Sequence, residues 1–383
     1  MNVNKEIVMT VKLTGRIDSA NAAETEKKIN EQIGDFDGEL VLDASELEYI
    51  SSAGLRVILR LKKANKSTKV INCNSEVYEI FDMTGFTEMM DIAKAYRKLS
   101  VEGCEVIGEG ANGKVYRTDP DTIVKVYKNP DSLDEIHNER ELARKAFVMG
   151  IPTAIPYDVV QVGDLYGSVF ELLNAKSFAK LMAEGEDIDE LAKQSVDILK
   201  TIHSTELKEG ELPSKKQEAI GWAEYVKPHL PEEIGDKLLR LFNEIPESNF
   251  MLHGDYHIKN IMRQGNENLL IDMDTLSVGH PVFELSQMYL AYLGFSETDH
   301  DDVMRFLGIE RSTAEVFWDA TLKYYFDGKD DGFINDAVIK ARIIGYARLL
   351  RRTIKRSPDK TDIIENCTNQ LCELVPKTDK LYF

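Results

Sequence analysis

The stretch His253-Gly254-Asp255-Tyr256-His257-Ile258-Lys259-Asn260, followed by Ile271-Asp272-Met273-Asp274, decides how this 383-residue chain is read. It sets an aspartate and an asparagine five residues apart in a short loop. A second aspartate follows on what reads as a strand. Phosphoryl transfer from a magnesium nucleotide needs three such groups. One carboxylate accepts the proton of an attacking hydroxyl, while an amide oxygen and a second carboxylate hold magnesium on the triphosphate.

Upstream residues support that chemistry. Val106-Ile107-Gly108-Glu109-Gly110-Ala111-Asn112-Gly113-Lys114-Val115 sets three glycines in a Gly-x-Gly-x-x-Gly pattern between apolar stretches. Glycine lets backbone approach phosphates closely and adopt positive φ. A dinucleotide fingerprint needs a helix directly after the glycines. Here Lys114-Val115-Tyr116-Arg117 reads as strand and Asp119-Pro120-Asp121 as a hairpin turn, so a nucleotide-covering hairpin is predicted. Thr122–Tyr127 follows as a strand with Lys125 between apolar neighbours. A lysine there requires a counter-charge. Glu139 on the next predicted helix (133–149) is the natural partner, with Glu135 and Glu141 as competitors. Gly167–Leu173, with Glu171, reads as a strand that offers hinge backbone to an adenine ring. Residues 178–250 read as mostly helical, with an amphipathic run from Leu191 to His203, where His203 packs or caps.

His-x-Asp-x-x-x-x-Asn is the spacing of a kinase catalytic loop. From Glu105 onward the chain resembles the aminoglycoside phosphotransferase and choline kinase superfamily, a small-molecule branch of the protein-kinase fold. The resemblance rests on Gly108, Gly110, Gly113, Lys125, Glu139, Asp255, Asn260 and Asp272. It implies an α+β bilobal fold, ATP and Mg2+ as cofactors, and Asp255 as the base or hydroxyl-orienting group. Asn260 and Asp272 would be the magnesium ligands, and His253 and His257 scaffold for the loop. Two departures separate the chain from protein kinases. The loop reads His-Gly-Asp, not His-Arg-Asp. After Asp272 the chain soon reaches Gly279-His280-Pro281-Val282-Phe283-Glu284, leaving no room for a long activation segment. Glu284 stands where that family often has Asp.

The first hundred residues read as alternating strands and helices, the pattern of an α/β domain. Strands are predicted over 7–17, 39–43 and 69–72, and helices over 22–33, 55–64 and from Val77, broken by Thr84-Gly85-Phe86. Leu42-Asp43-Ala44-Ser45-Glu46-Leu47-Glu48-Tyr49-Ile50-Ser51-Ser52-Ala53-Gly54-Leu55 resembles the STAS family of bacterial anti-sigma factor antagonists, with a mixed sheet and helices. In that family a serine opening a helix is reversibly phosphorylated by a partner kinase, and Ser52 matches it. Ser51 stands where many members carry Asp. A phosphate at a helix start meets free N–H groups and the positive dipole end. The plainer reading is that Ser51 and Ser52 cap the helix. The predicted organisation is a STAS-like domain over 1–99, a short junction, and a kinase-like domain over 104–383 with its small lobe at 104–173.

Composition limits the partners. Net charge is −19, of which residues 1–100 hold −2 and the remainder −17. Such acidity speaks against nucleic acid and mildly favours a cationic acceptor. The acidic segments 184–190 and 297–302 offer cation contacts or are simply solvated turns. No apolar run approaches the ~20 residues that span a bilayer, and no signal-like segment opens the chain, so a cytoplasmic protein with reduced cysteines is expected. The reading is an ATP- and magnesium-dependent phosphotransferase acting on a small-molecule hydroxyl, its first domain regulating it or binding a protein partner. The alternatives are a signalling kinase acting on a protein serine such as its own Ser52, and a non-catalytic ATP sensor.

Overall fold

Period-2 apolar residues build the first strand, β1 (Val8–Ile17), whose Val11, Leu13 and Ile17 are buried. The computed structural model describes residues 8–110, 112–154 and 156–383. Ile7, expected to open that strand, and Ala111 of the glycine loop lie outside the described residues. There follow α1 (Ala22–Ile33), β2 (Glu39–Ile50), α2 (Ser52–Ala64), β3 (Lys69–Cys73), α3 (Ser75–Met83), α4 (Phe86–Met89) and β4 (Ile92–Lys94). The sheet order is β1-β2-β3-β4, and every described pair is parallel, where a mixed sheet was expected. A helix separates each strand from the next, which is the crossover that parallel pairing requires. Strand β2 runs seven residues past its predicted end at Asp43. Two register shifts let its partner β1 follow it to Ile17↔Ile50 and bury Ala44, Leu47 and Ile50.

Helix α2 starts as its sequence suggests. Ser51 is the N-cap and accepts the Ala53 N–H at 3.2 Å, while Ser52 is the exposed first residue. Leu55, Val57, Ile58 and Leu61 turn inward against Leu40, Leu42 and Val70. Contacts divide the chain into two units, residues 1–103 with 159–167, and residues 104–158 with 168–383. The inclusion of 159–167 in the first unit has no signal in the sequence. It reflects a short strand, β5 (Arg97–Lys98), in parallel register with residues 160–161.

The second unit begins with β6 (Glu105–Glu109), β7 (Gly113–Asp119), β8 (Thr122–Tyr127) and α5 (Leu133–Val148); β9 (Pro156–Val162) and β10 (Leu165–Glu171) then straddle the boundary, with 159–167 in the first unit. β6, β7 and β8 are antiparallel, with the hairpin turn at Pro120-Asp121. Then come β11 (Lys176–Ser177), α6 (Phe178–Ala183), α7 (Ile188–Ser204), α8 (Lys215–Val226), α9 (Glu232–Glu244), β12 (Met251–Leu252), β13 (Ile261–Gln264), β14 (Glu267–Leu270) and β15 (Ser277–Val278). The chain closes with α10 (Val282–Tyr292), α11 (Asp302–Leu307), α12 (Arg311–Tyr325), α13 (Asp331–Arg356) and α14 (Thr361–Leu374). Helix α10 is buried at every position and forms the axis of the helical core. Among the described residues, no helix is long and apolar enough to cross a membrane.

His280, just before α10, accepts the Val282 N–H on Nδ1 (3.1 Å) and places Nε2 3.3 Å from the Phe383 main-chain oxygen. That pairing suits a neutral ring, and burial pushes its pKa down to about 4 from the usual 6.5. A depressed folded value means that only the unfolded chain takes up the proton between these limits. The His280 contribution to stability is therefore intact above pH 6.5 and falls as the pH drops toward 4. In urea titrations across that range, His280→Gln should show a flatter loss of stability than wild type.

Candidate active site

The loop after β12 is shaped by one glycine. Gly254 has φ +83, and a Cβ there would lie 2.4 Å from the Thr275 carbonyl oxygen. This explains why the position holds glycine: no side chain fits between the loop and the segment behind Asp272. Thr275 Oγ1 donates to the His253 carbonyl at 2.7 Å, which fastens the two segments. His253 Nδ1 accepts the Asp255 N–H at 3.3 Å, so its proton sits on Nε2 and is donated to the Ile271 carbonyl at 3.2 Å. Burial holds His253 below its ordinary pKa and so in this neutral form.

Beneath the loop lies Glu284, fully buried. Its carboxylate accepts the backbone N–H groups of His253 and Gly254, the latter at 3.0 Å. His203 Nε2 lies 3.9 Å away, and its Nδ1 meets the Tyr325 hydroxyl at 2.7 Å. Glu284 had read as a mild departure, and the sequence offered no sign that it holds the loop from below. His203 packs under the loop.

Asp255 projects from that frame. Asn260 donates its Nδ2 to the Asp255 carbonyl (2.9 Å) and carboxylate (3.4 Å), which leaves its Oδ1 available to a ligand. His257 Nε2 is 3.5 Å from the Asp255 carboxylate, and its ring stands edge-on to Phe306. Burial would raise the Asp255 pKa. The hydrogen bond from His257 and the guanidinium charge of Arg348 outweigh it and hold the carboxyl below its usual range.

Lys125 finds the partner its setting demanded. Its Nζ is 2.9 Å from Glu139, the one of the three candidate carboxylates that pairs with it, and 3.4 Å from Asp272. Tyr127 also donates to Glu139. Burial opposes the charge on Lys125, but Glu139 and Asp272 overcome it and keep the ammonium protonated. Asp272 is not on a strand, as expected, but two residues beyond β14. Its left-handed backbone (φ 58, ψ 64) ends the ladder and turns the carboxylate toward Lys125. Such a conformation is strained in a non-glycine residue. Burial, then the negative fields of Glu139, Asp272 and Asp255, push the Asp274 carboxyl up to about 6, against the pull of Lys125. The site thus carries more negative charge than its own cations neutralise. Sequence reading had assigned Asp274 and Tyr127 no part.

Two cavities flank this set. The first, about 200 Å3, is lined by Ile107, Val115, Lys125, Glu171, Leu173 and Asp272, among others. The Leu172 N–H is committed to the Asp121 carbonyl at 2.8 Å. Of the three loop glycines, Gly113 is sterically required, since a Cβ would lie 2.4 Å from the Val126 carbonyl oxygen. A Cβ on Gly110 would meet open space. The second cavity, about 620 Å3, borders Asp255 and is walled by α10, α11, α13 and α14. Its lining is basic, with Arg305, Arg348, Arg352, Arg356 and Lys360 against Asp255 and Asp302. The cationic acceptor mildly favoured in the sequence was read from net charge, which does not report where charges cluster. The acidic segments are engaged within the protein: Glu186 pairs with Arg263, Asp187 caps α7, and Asp299 and Asp302 pair with Arg305. Ser52 belongs to the other unit.

Comparisons with known proteins agree with this architecture. Residues 103–316 match the model of the phosphotransferase enzyme family, and residues 1–100 match the STAS domain. BtrV of Bordetella bronchiseptica, assigned as an anti-sigma factor antagonist, is 33% identical over 87 residues, spanning 22% of this chain and 75% of that protein. The fold is similar to an aminoglycoside phosphotransferase solved in ternary complex with AMP-PNP and hygromycin B. The match has a TM-score of 0.51 and 12% identity over 72% of this chain and 93% of that one. An apo form of such an enzyme gives 0.50 and 12% over 72% and 94%. These likenesses concern the fold.

The Gly254 geometry predicts the effect of its replacement. Gly254→Ala should lower stability by about 1–3 kcal/mol, through overpacking against the Thr275 backbone and an unfavourable φ. Turnover should fall with it, because Asp255 is the next residue. Thermal melting and steady-state assays of the variant check both.

Proposed function

This chain belongs to the phosphotransferase enzyme family, behind an N-terminal STAS domain, and from that premise we propose that it moves the γ-phosphoryl group of ATP to a hydroxyl of a small molecule. The observation that carries the proposal is the convergence of Asp255, Asn260 and Asp272 with the Lys125–Glu139 ion pair. The 620 Å3 cavity beside Asp255 has the volume of a small-molecule site, which favours this reading over a protein acceptor.

The residues fit a magnesium nucleotide. Among the described residues, no cluster of three His, Cys, Asp or Glu forms a metal cage. A hard cation held by one amide oxygen, one carboxylate and substrate phosphates needs none. Asn260 Oδ1, left free by the amide's donation to Asp255, and Asp272 would be those two ligands. The metal, when bound, would neutralise charge on the phosphate oxygens.

The rest is work for the side chains. Lys125, oriented by Glu139, binds phosphate oxygens. The glycine loop covers them, and Glu171 to Leu173 line the base end of the cavity. Asp255, kept ionised by His257 and Arg348, orients the acceptor hydroxyl and receives its proton. Positioning of this kind supplies most of the catalysis in phosphoryl transfer. For the STAS domain we propose partner binding, with Ser52 as a modifiable hydroxyl. It is exposed at the first position of α2, while Ser51 performs the capping.

Two substitutions separate the roles. Asp255→Asn should retain nucleotide affinity and lose about 10²–10⁴-fold in turnover, the range for a lost general base. Asp272→Asn should remove the magnesium dependence of nucleotide binding. Calorimetric binding of AMP-PNP with and without magnesium, beside a coupled ADP-release assay, reads both. Wild-type protein that binds no nucleotide in magnesium would refute the proposed function.

A further inference from the structure

The cavity beside Asp255 holds a pattern that the phosphotransferase reading leaves unused. Arg348, Arg352 and Arg356 of α13 all line it, and Lys360 follows just beyond the helix. At four-residue spacing the three arginines stack on one face, where like charges repel. None of the four cations forms an ion pair among the described residues. By contrast, Arg305 on the same wall is paired with Asp299 and Asp302. The helix dipole accounts for Arg356 in the last turn. It does not account for Arg348, two turns further in, half-buried and 5.7 Å from the Trp222 ring. Burial draws that guanidinium below its ordinary pKa, with Asp255 pulling the other way. Arg352 lies over Phe295 at 5.8 Å.

A second observation points to the same occupant. Gln287, on buried α10, lines this cavity at 5% exposure, and its side-chain NH2 has no hydrogen-bond partner. A buried donor without an acceptor is unfavourable until an oxygen is supplied. The cavity therefore presents guanidinium, ammonium and amide donors. Of its two carboxylates, Asp302 is tied to Arg305 and Asp255 faces the reacting hydroxyl. An amine-bearing acceptor would meet like charge here. A carboxylate, phosphate or sulfate would find the planar donors that suit it.

We propose that the acceptor is a small hydroxylated anion. Arg348 and Arg352 grip its anionic group, Gln287 donates to a further oxygen, Arg356 and Lys360 draw it in at the mouth, and its hydroxyl is turned to Asp255. The inference rests on the phosphotransferase reading and specifies the substrate class of that site.

The test uses the full chain saturated with magnesium and AMP-PNP, titrated calorimetrically with 3-phosphoglycerate, glucose 6-phosphate and gluconate, and with glucose and kanamycin as neutral and cationic controls. At least one anion should bind more tightly than either control. The phosphate and carboxylate probes distinguish which group the arginines prefer. Arg348→Gln, and separately Arg352→Gln with Arg356→Gln, should weaken that anion by about tenfold for each arginine that contacts it. Removing like-charge repulsion should leave the Arg352/Arg356 variant melting no lower than wild type, which excludes misfolding as the cause. Anions that bind no better than glucose, anions that bind the variants as well as wild type, or tighter kanamycin would each overturn the acceptor assignment while nucleotide binding stands. If magnesium-dependent nucleotide binding is itself absent, the phosphotransferase reading falls, and the acceptor assignment with it.

Discussion

A carboxylate with no solvent exposure, Glu284, holds the site together. An ionised group in that position is unfavourable unless hydrogen bonds surround it. Burial alone would raise its pKa. The His203 side chain and the hydrogen bond from the His253 N–H keep it below the usual carboxylate range. The geometry of the site propagates from there. Glu284 holds the N–H groups of His253 and Gly254, and the His253 ring reaches the Ile271 carbonyl. The next residue, Asp272, faces Lys125. One buried charge on α10 thus aligns the loop that bears Asp255 with the segment that bears Asp272.

The site is electrically polarised. Around Lys125, the carboxylates Glu139, Asp272 and Asp274 are in excess, and burial together with that excess raises Asp274. On the wall of the larger cavity, Arg348, Arg352, Arg356 and Lys360 form no ion pair among the described residues. A chain of net charge −19 keeps this basic wall because protein charge acts locally, over distances near a Debye length of about 10 Å. Asp255 lies at the border, where the Arg348 charge helps hold it ionised.

Much of the fold was legible because local patterns and global packing agree. The run Leu55 to Leu61 read as a helix and is one, since its apolar spacing matches the buried face of α2. Lys125 among apolar neighbours required an acidic partner, and helix α5 delivers Glu139. Other features had no local signal. Strand β2 outruns its apolar core because it bulges twice to stay paired with β1, a matter of pairing between distant segments. The grouping of 159–167 with the first unit is likewise non-local. The arginines of α13 were not singled out in the sequence, because the cavity they face takes its other walls from α10, α11 and α14.

The sequence by itself determined the chemistry on offer: an Asp-x-x-x-x-Asn loop, a following Asp, a glycine hairpin, an isolated strand lysine and a STAS-like first segment. Residue types and short spacings carry that much, because hydrogen-bonding and charge capacity belong to the side chain. Tertiary structure alone decided which of three glutamates pairs with Lys125, that Glu284 fastens the loop from below, and that Asp272 turns into a left-handed conformation beside Lys125. It also decided that the cavity beside Asp255 is lined with cations. Those outcomes depend on which segments far apart in the chain come within a few ångströms, and packing of the whole core sets that.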